Sequence, residues 1–220
     1  MKKVKQMRIL FTIVLTIFLS TTVFGTVQKP DKIIYKGKEY ELGYSYPLKD
    51  YFEKYPDKRP KGGNGSTNLW RGYVATFEII DNQLYLKDII IKVSTFINKK
   101  EGYDTKWVSV LNEVFPNQKL IKIDWFTGLL LLSYNEEIDY RYAYYTLLEL
   151  ENGEVKKEKP LGNYIKCKEF EKKQFEAFKD TDEYEKIKAK LKNKEEDKDS
   201  FLRSFIIQYS SKILVEDNNK

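Results

Sequence analysis

The stretch LWRGYVATFEIIDNQLYLKDIIIKV, Leu69 to Val93, decides the fold. Two runs rich in β-branched and aromatic residues, Leu69–Ile80 and Leu84–Val93, flank Asp81-Asn82-Gln83, and the whole reads as a β-hairpin. Alternation along the first run puts Leu69, Arg71, Tyr73, Ala75, Phe77 and Ile79 on one face. Trp70, Gly72, Val74, Thr76, Glu78 and Ile80 fall on the other. Neither face is cleanly polar, so this strand is expected mid-sheet, covered on both sides. Gly72 within it reads as a point where another backbone or ring can approach closely.

Hairpins recur outward from this one. Lys32–Tyr35 and Glu39–Leu42 flank Gly37-Lys38, and Lys119–Phe126 and Leu129–Tyr134 flank Thr127-Gly128. Tyr140–Glu151 and Glu154–Lys159 flank Asn152-Gly153, whose tolerance of positive φ favours a type I′ turn. Pro47–Tyr55 reads as a short helix with Leu48, Tyr51, Phe52 and Tyr55 on one face. A second helix is expected from a cap at Asp104 or Thr105 through Phe115, with Trp107, Val108, Leu111, Val114 and Phe115 inward and Pro116 as the stop. After Pro160 the apolar period lengthens: Cys167, Phe170, Gln174 and Phe178 are helically spaced, as are Tyr184, Ile187 and Leu191, and then Phe201, Leu202, Phe205, Ile206, Tyr209, Ile213 and Leu214. The fold class expected is α+β, an antiparallel sheet of roughly six to eight strands built from hairpins, with two short inserted helices and a C-terminal helical segment packed on it. Pro56–Thr67, rich in Pro and Gly, reads as an exposed connection, and the charged run Lys192–Asp199 as a helix end and a turn.

The N-terminus has a different character. Lys2, Lys3, Lys5 and Arg8 precede an apolar run from Ile9 to Phe18, then small and polar residues up to Gly25. That order is a secretory signal, and the run is short for a membrane span. Residues 1–25 are therefore read as a signal peptide and 26–220 as one α+β domain, mainly β to residue 160 and helical from 161. Export to the periplasm or the exterior is the expected localisation, with no transmembrane segment after the signal is removed. The chain has 39 Lys and Arg against 33 Asp and Glu, net +6. Four of those bases lie in the signal, which leaves 35 bases against the same 33 acids, a net charge of +2. The remaining bases are interleaved with acids, so no nucleic-acid partner is expected.

Histidine is absent and there is one cysteine, Cys167. Ser-His-Asp and Cys-His catalysis lack their imidazole, and ordinary zinc sites lack their ligands. No catalytic residue, metal site or cofactor is expected, and Cys167 reads as a buried helix residue. Glu78, Asp88 and Asp124 are acids in otherwise apolar runs. Glycoside hydrolysis would need two of them facing each other across a cleft.

Two surfaces stand out as candidate binding sites. Trp70 and Arg71, beside the Gly-rich loop, read either as a recognition edge or as a core Trp with an Arg paired to a carboxylate. The second reading is preferred on pattern alone. Tyr140, Tyr142 and Tyr144, on one face of a strand, read either as an exposed tyrosine ladder for a protein or glycan partner or as a tyrosine-rich core. The tyrosine face is the leading candidate.

The run Leu69–Ile79 with Leu84–Ile89, Trp107–Pro116, Asp124–Gly128 and Phe170–Tyr184 resembles a group of small bacterial proteins. The resemblance implies one coherent domain and carries no activity or catalytic residue. The expected function is that of an exported, non-enzymatic binding protein whose partner is an envelope component or a neutralised toxin. The alternative is a carboxylate-dependent glycan-active enzyme or a glycan-binding module.

Overall fold

A computed structural model describes residues 28–61, 67–98, 102–134, 143–191 and 197–216. The signal-peptide reading, Tyr140 and Tyr142 lie outside the described residues. Among the described residues nine strands and six helices follow one another in the order β1 (Asp31–Tyr35), β2 (Lys38–Gly43), α1 (Lys49–Lys54), β3 (Val74–Ile80), β4 (Gln83–Asn98), β5 (Gly102–Ser109), α2 (Leu111–Val114), β6 (Ile121–Lys122), β7 (Gly128–Tyr134), β8 (Tyr144–Glu151), β9 (Glu154–Gly162), α3 (Tyr164–Phe178), α4 (Asp182–Lys190), α5 (Lys198–Ser204) and α6 (Ile206–Tyr209). The class is α+β.

The sheet runs β3-β1-β2-β7-β8-β9-β4-β5, and β3 also pairs with β4. Seven strands therefore close into a ring, and β5 extends from it on the long β4 strand. The pairing is not wholly antiparallel as expected. β1 and β3 run parallel, with Lys32 opposite Thr76 and Ile33 opposite Phe77. A parallel pair needs a crossover, and here α1 and the following connection supply it.

Residue chemistry explains the tight turns. Lys36-Gly37, Asp81-Asn82 and Asn152-Gly153 each place two successive residues at positive φ. That is the type I′ geometry that matches strand twist. A bulge lies where Thr76 faces Asp88 and Phe77 faces Leu86. It resets the alternation of β4, so Leu84 and Leu86 before it and Ile89 and Ile91 after it all reach the interior.

Two cores divide the leucines of β7. Leu130 and Leu132 join Ile33, Phe77, Leu86 and Leu148 inside the ring. Leu129 and Leu131 join Leu147, Phe175, Phe178, Leu202 and Ile206 beneath the C-terminal helices. This double burial is why GLLLL reads as a continuous apolar run. α1 brings Leu48 and Phe52 to the interior core, and Tyr51 stacks between Phe115 and Trp125.

Three local expectations are corrected. Residues 104–109 are not the start of a helix, because β5 pairs along its length with β4, from Trp107 opposite Lys92 to Tyr103 opposite Phe96. Only Leu111–Val114 is helical. Lys119–Phe126 does not pair with β7. Its two-residue strand β6 lies on β4, and the neighbours of β7 are β2 and β8. Leu69–Tyr73 is a turn and not strand: Gly72 N–H donates to Leu69 C=O at 2.9 Å and Gly72 has φ +82°. A Cβ there would meet nothing within 4 Å, so Gly72 serves the turn and not a close approach.

The chain end is fastened by polar side chains inside the second core. Gln174, fully buried, donates to Ser210 Oγ and Lys212 C=O, and accepts from Leu214 N–H at 3.0 Å. Glu149 accepts from Ile213 N–H at 2.7 Å. Deleting Ser200–Lys220 would uncover Phe175, Phe178 and Leu147 and leave Gln174 unpaired. The truncated protein should aggregate or express poorly, and a truncation melting like the parent would refute this packing. Among the described residues no helix is long and apolar enough to cross a membrane.

Candidate functional site

The turn Leu69–Gly72 sends neighbouring side chains to opposite destinations. Trp70 is 60% exposed, and Arg71 is only 6% exposed. Half of the pattern reading is thus reversed and half stands: Trp70 is outside the core, while Arg71 meets a carboxylate. Its Nη2 donates to Asp31 Oδ1 at 3.0 Å and to Lys29 C=O at 3.0 Å. Asp31 Oδ1 also accepts from Ala75 N–H at 2.9 Å. Asp31 has the parity of Ile33 and Tyr35, the buried positions of β1, and so lies at the interior end of that strand.

The pair is incompletely satisfied. Among the described residues Asp31 Oδ2 and Arg71 Nη1 are buried with no hydrogen-bond partner. Burial pushes the Asp31 carboxyl up to about 6, against the opposing pull of the Arg71 charge and the Ala75 N–H. The guanidinium carbon lies 4.3 Å from the centroid of the Tyr46 ring and 5.7 Å from that of Tyr73. Burial raises both phenols, and Arg71 opposes the rise in each.

Arg71 lines a cavity of about 120 Å³ together with the aromatic Tyr46, Phe52, Trp70 and Tyr73 and the charged Lys49, Glu53 and Arg59. Tyr46 and Trp70 meet edge to face at 6.5 Å. Arg59 donates to the Arg71 carbonyl at 3.1 Å, which fixes the turn from the other side. Gln28 accepts from Trp70 N–H at 3.1 Å and donates to Thr67 C=O at 2.7 Å. The result is a small aromatic-walled recess with a buried cation at its base and an exposed indole at its rim. Its charged lining, Lys49, Arg59 and Arg71 against Glu53, can meet a hydrogen-bond acceptor such as a carboxylate, although Arg71 Nη1 is itself sealed from solvent.

Of the tyrosine candidates, Tyr144 opens β8 opposite Tyr134 and is 69% exposed. Strands β2 and β7 separate it from β1 and Asp31. Tyr145, on the opposite face, packs against the helical core, and its phenol is raised to about 12 by burial first.

The acids weighed for glycan chemistry have local partners or remain at the surface. Glu78 pairs with Lys87 at 2.9 Å. Asp88, at the bulge, accepts from Ile89 N–H and Ser109 Oγ. Asp124 is exposed. Burial pushes the Cys167 thiol up to about 12, which makes it a poor nucleophile. A second cavity, about 190 Å³, lies where the barrel meets the helices. Its polar lining is largely engaged: Ser45 donates to Leu129 C=O, and Glu183 accepts from Ser211.

The sequence named Trp70 and Arg71 but missed Asp31, Tyr46 and Arg59. Asp31 had a readable signal, an acid sharing the inward parity of Ile33 and Tyr35. Tyr46 and Arg59 had none, because separate connections bring them to the site. No protein-family model, no curated protein and no solved structure matches this chain.

Proposed function

We propose that this is an exported, non-enzymatic binding protein that grips a carboxylate-bearing segment of a protein partner. The observation that carries the reading is Arg71, buried at the base of the recess with Nη1 unpartnered among the described residues. Buried polar atoms without partners are rare enough to need an explanation, and an absent ligand group is one. Trp70 is the anchor beside it, since exposed Trp and Arg dominate binding energy at interfaces. The basic head and apolar run of residues 1–25 support export, and an envelope component or a neutralised toxin is the kind of partner in view.

Trp70→Ala removes a largely exposed ring and one edge-to-face contact with Tyr46, so it should shift the melting temperature by no more than a few degrees. Capture of partner from an envelope extract should nevertheless fall by at least about tenfold, the scale of an interface anchor. Free glutarate should compete with that capture. Tyr144→Ala is the matched control on the other surface. Loss of capture in Tyr144→Ala with full retention in Trp70→Ala would move the site to the tyrosine face. Capture that survives protease treatment of the extract but not glycosidase treatment would favour the glycan-binding reading.

A further inference from the structure

β5 is the last strand of the sheet, paired on one edge with β4 and, among the described residues, with nothing on the other. An open edge is a template for another strand. This one projects from the ring on a two-stranded ribbon that is largely exposed: Tyr103 is 69% accessible, and Phe96, Ile97 and Trp107 are exposed as well. The register with β4 sorts its side chains. Tyr103, Thr105 and Trp107 share a face with Phe96, Ser94 and Lys92, while Asp104 and Lys106 share the other with Thr95 and Val93. Tyr103 and Phe96 already meet edge to face at 5.3 Å.

We infer that β5 pairs antiparallel with β5 of a second copy, about a two-fold axis at Thr105. A symmetric interface must be self-complementary, and the sequence Tyr103-Asp104-Thr105-Lys106-Trp107 is so in one register. With Thr105 on the axis, Asp104 faces the partner's Lys106, and Tyr103 faces the partner's Trp107. Both pairs occur twice. Sliding the axis by one residue sets Asp104 against the partner's Asp104, or Lys106 against the partner's Lys106, and like charges directly opposite are destabilising. The charges thus select the register and oppose its nearest symmetric alternatives. On the aromatic face the pairing joins Phe96, Tyr103 and the partner's Trp107 into one stripe across three strands. Lys29 joins this surface to the Arg71 recess, its Nζ 4.6 Å over the Trp107 ring and its carbonyl accepting from Arg71, but none of the β5 residues lines the recess.

Sedimentation of the mature protein over a wide concentration range tests the inference. A monomer–dimer equilibrium is expected. Asp104→Lys and Lys106→Asp should each weaken it by about tenfold, since each creates two like-charge pairs. The double variant Asp104→Lys/Lys106→Asp should restore it. Both positions are exposed, so the variants should melt like the parent. Thr105→Cys gives a second reading: directly opposite Cα atoms about 4.5 to 5.5 Å apart permit a disulfide, and Cys167 is buried. Oxidised Thr105→Cys protein should run as a covalent dimer. A parent that stays monomeric throughout would overturn the inference. So would a dimer indifferent to charge reversal, or a double variant that fails to recover association.

Discussion

Gly153→Ala should abolish stable folding, with a loss of more than about 4 kcal/mol, the range reserved for severe core or backbone conflict. Gly153 occupies the second position of the β8–β9 turn at φ +76°. A Cβ there would stand 1.7 Å from the Ile123 carbonyl oxygen and 2.6 Å from Gln83 Nε2. The first of these is backbone and cannot swing aside. It also belongs to the junction that closes the ring. Gly153 N–H donates to Phe126 C=O at 2.7 Å, Leu84 N–H donates to Gly153 C=O at 2.8 Å, and Val155 N–H donates to Asn82 C=O at 2.7 Å. Displacing Gly153 would disturb the contact between the β3–β4 and β8–β9 turns. Gly37→Ala is the control. Gly37 has the same φ of +76° in the same kind of turn, but nothing lies within 4 Å of its added Cβ. It should lose only about 1 kcal/mol, the cost of left-handed backbone. Denaturant unfolding of the two variants separates steric exclusion from backbone strain, and equal losses would refute the closure described here.

The second large effect concerns Asp31 and Arg71. Breaking a buried ion pair from one side typically costs about 3 to 5 kcal/mol, because the remaining charge is stranded. For a domain of this size that is a fall of roughly 10 °C or more in melting temperature. The two halves should differ in their response to pH. Asp31→Asn strands a guanidinium and leaves nothing at position 31 to titrate, so its deficit relative to the parent should narrow from pH 5 to pH 8 as the parent loses the contribution of Asp31. Arg71→Met strands a carboxyl that can gain one. In the parent, the Asp31 pKa in the folded state is about 6, above its ordinary value of 3.8. Folding therefore takes up a proton between those values, and the stability this group contributes is full below about pH 4 and is lost as pH rises through about 6. Removing Arg71 removes a lowering influence, so the folded pKa rises further. Arg71→Met should then be badly destabilised at pH 8 and should recover much of the difference at pH 5. Equal deficits at the two pH values in both variants would show that the pair's charges do not govern the site.

Local chemistry made part of this fold legible. Asn152-Gly153 and Asp81-Asn82 announce tight reversals because positive φ is a property of the residues themselves. The four leucines of β7 announce a strand buried on both faces. Pairing partners are a different matter. Nothing in Lys119–Phe126 says that two of its residues will lie on β4, and nothing in Val74–Ile80 says that it will run parallel to β1. Those choices are made by residues far away in sequence. Trp107, Val108, Leu111 and Val114 fit a helical spacing as well as the strand and short helix that form, and the long β4 template tips the balance toward a strand. At the site, alternation was carried through Leu69–Tyr73 as if it were strand. Gly72 makes it a turn, so Trp70 is exposed where pattern placed it inside. Arg71 meets the carboxylate of Asp31 because a buried guanidinium must find an acceptor, and physical chemistry leaves it few alternatives.

A carboxylate held on Arg71 in the recess under Trp70 should be visible at both side chains. A ¹H–¹⁵N correlation spectrum of the Trp indole and Arg Nε–H groups, titrated with propionate and matched with chloride at equal ionic strength, tests it most directly. Trp125, whose indole donates to Pro47 C=O at 3.0 Å, is the internal reference. Saturable shifts of the Trp70 and Arg71 signals are expected with propionate only, with Trp125 unmoved. Shifts of equal size in chloride, or no saturable shift at Trp70 and Arg71, would contradict it.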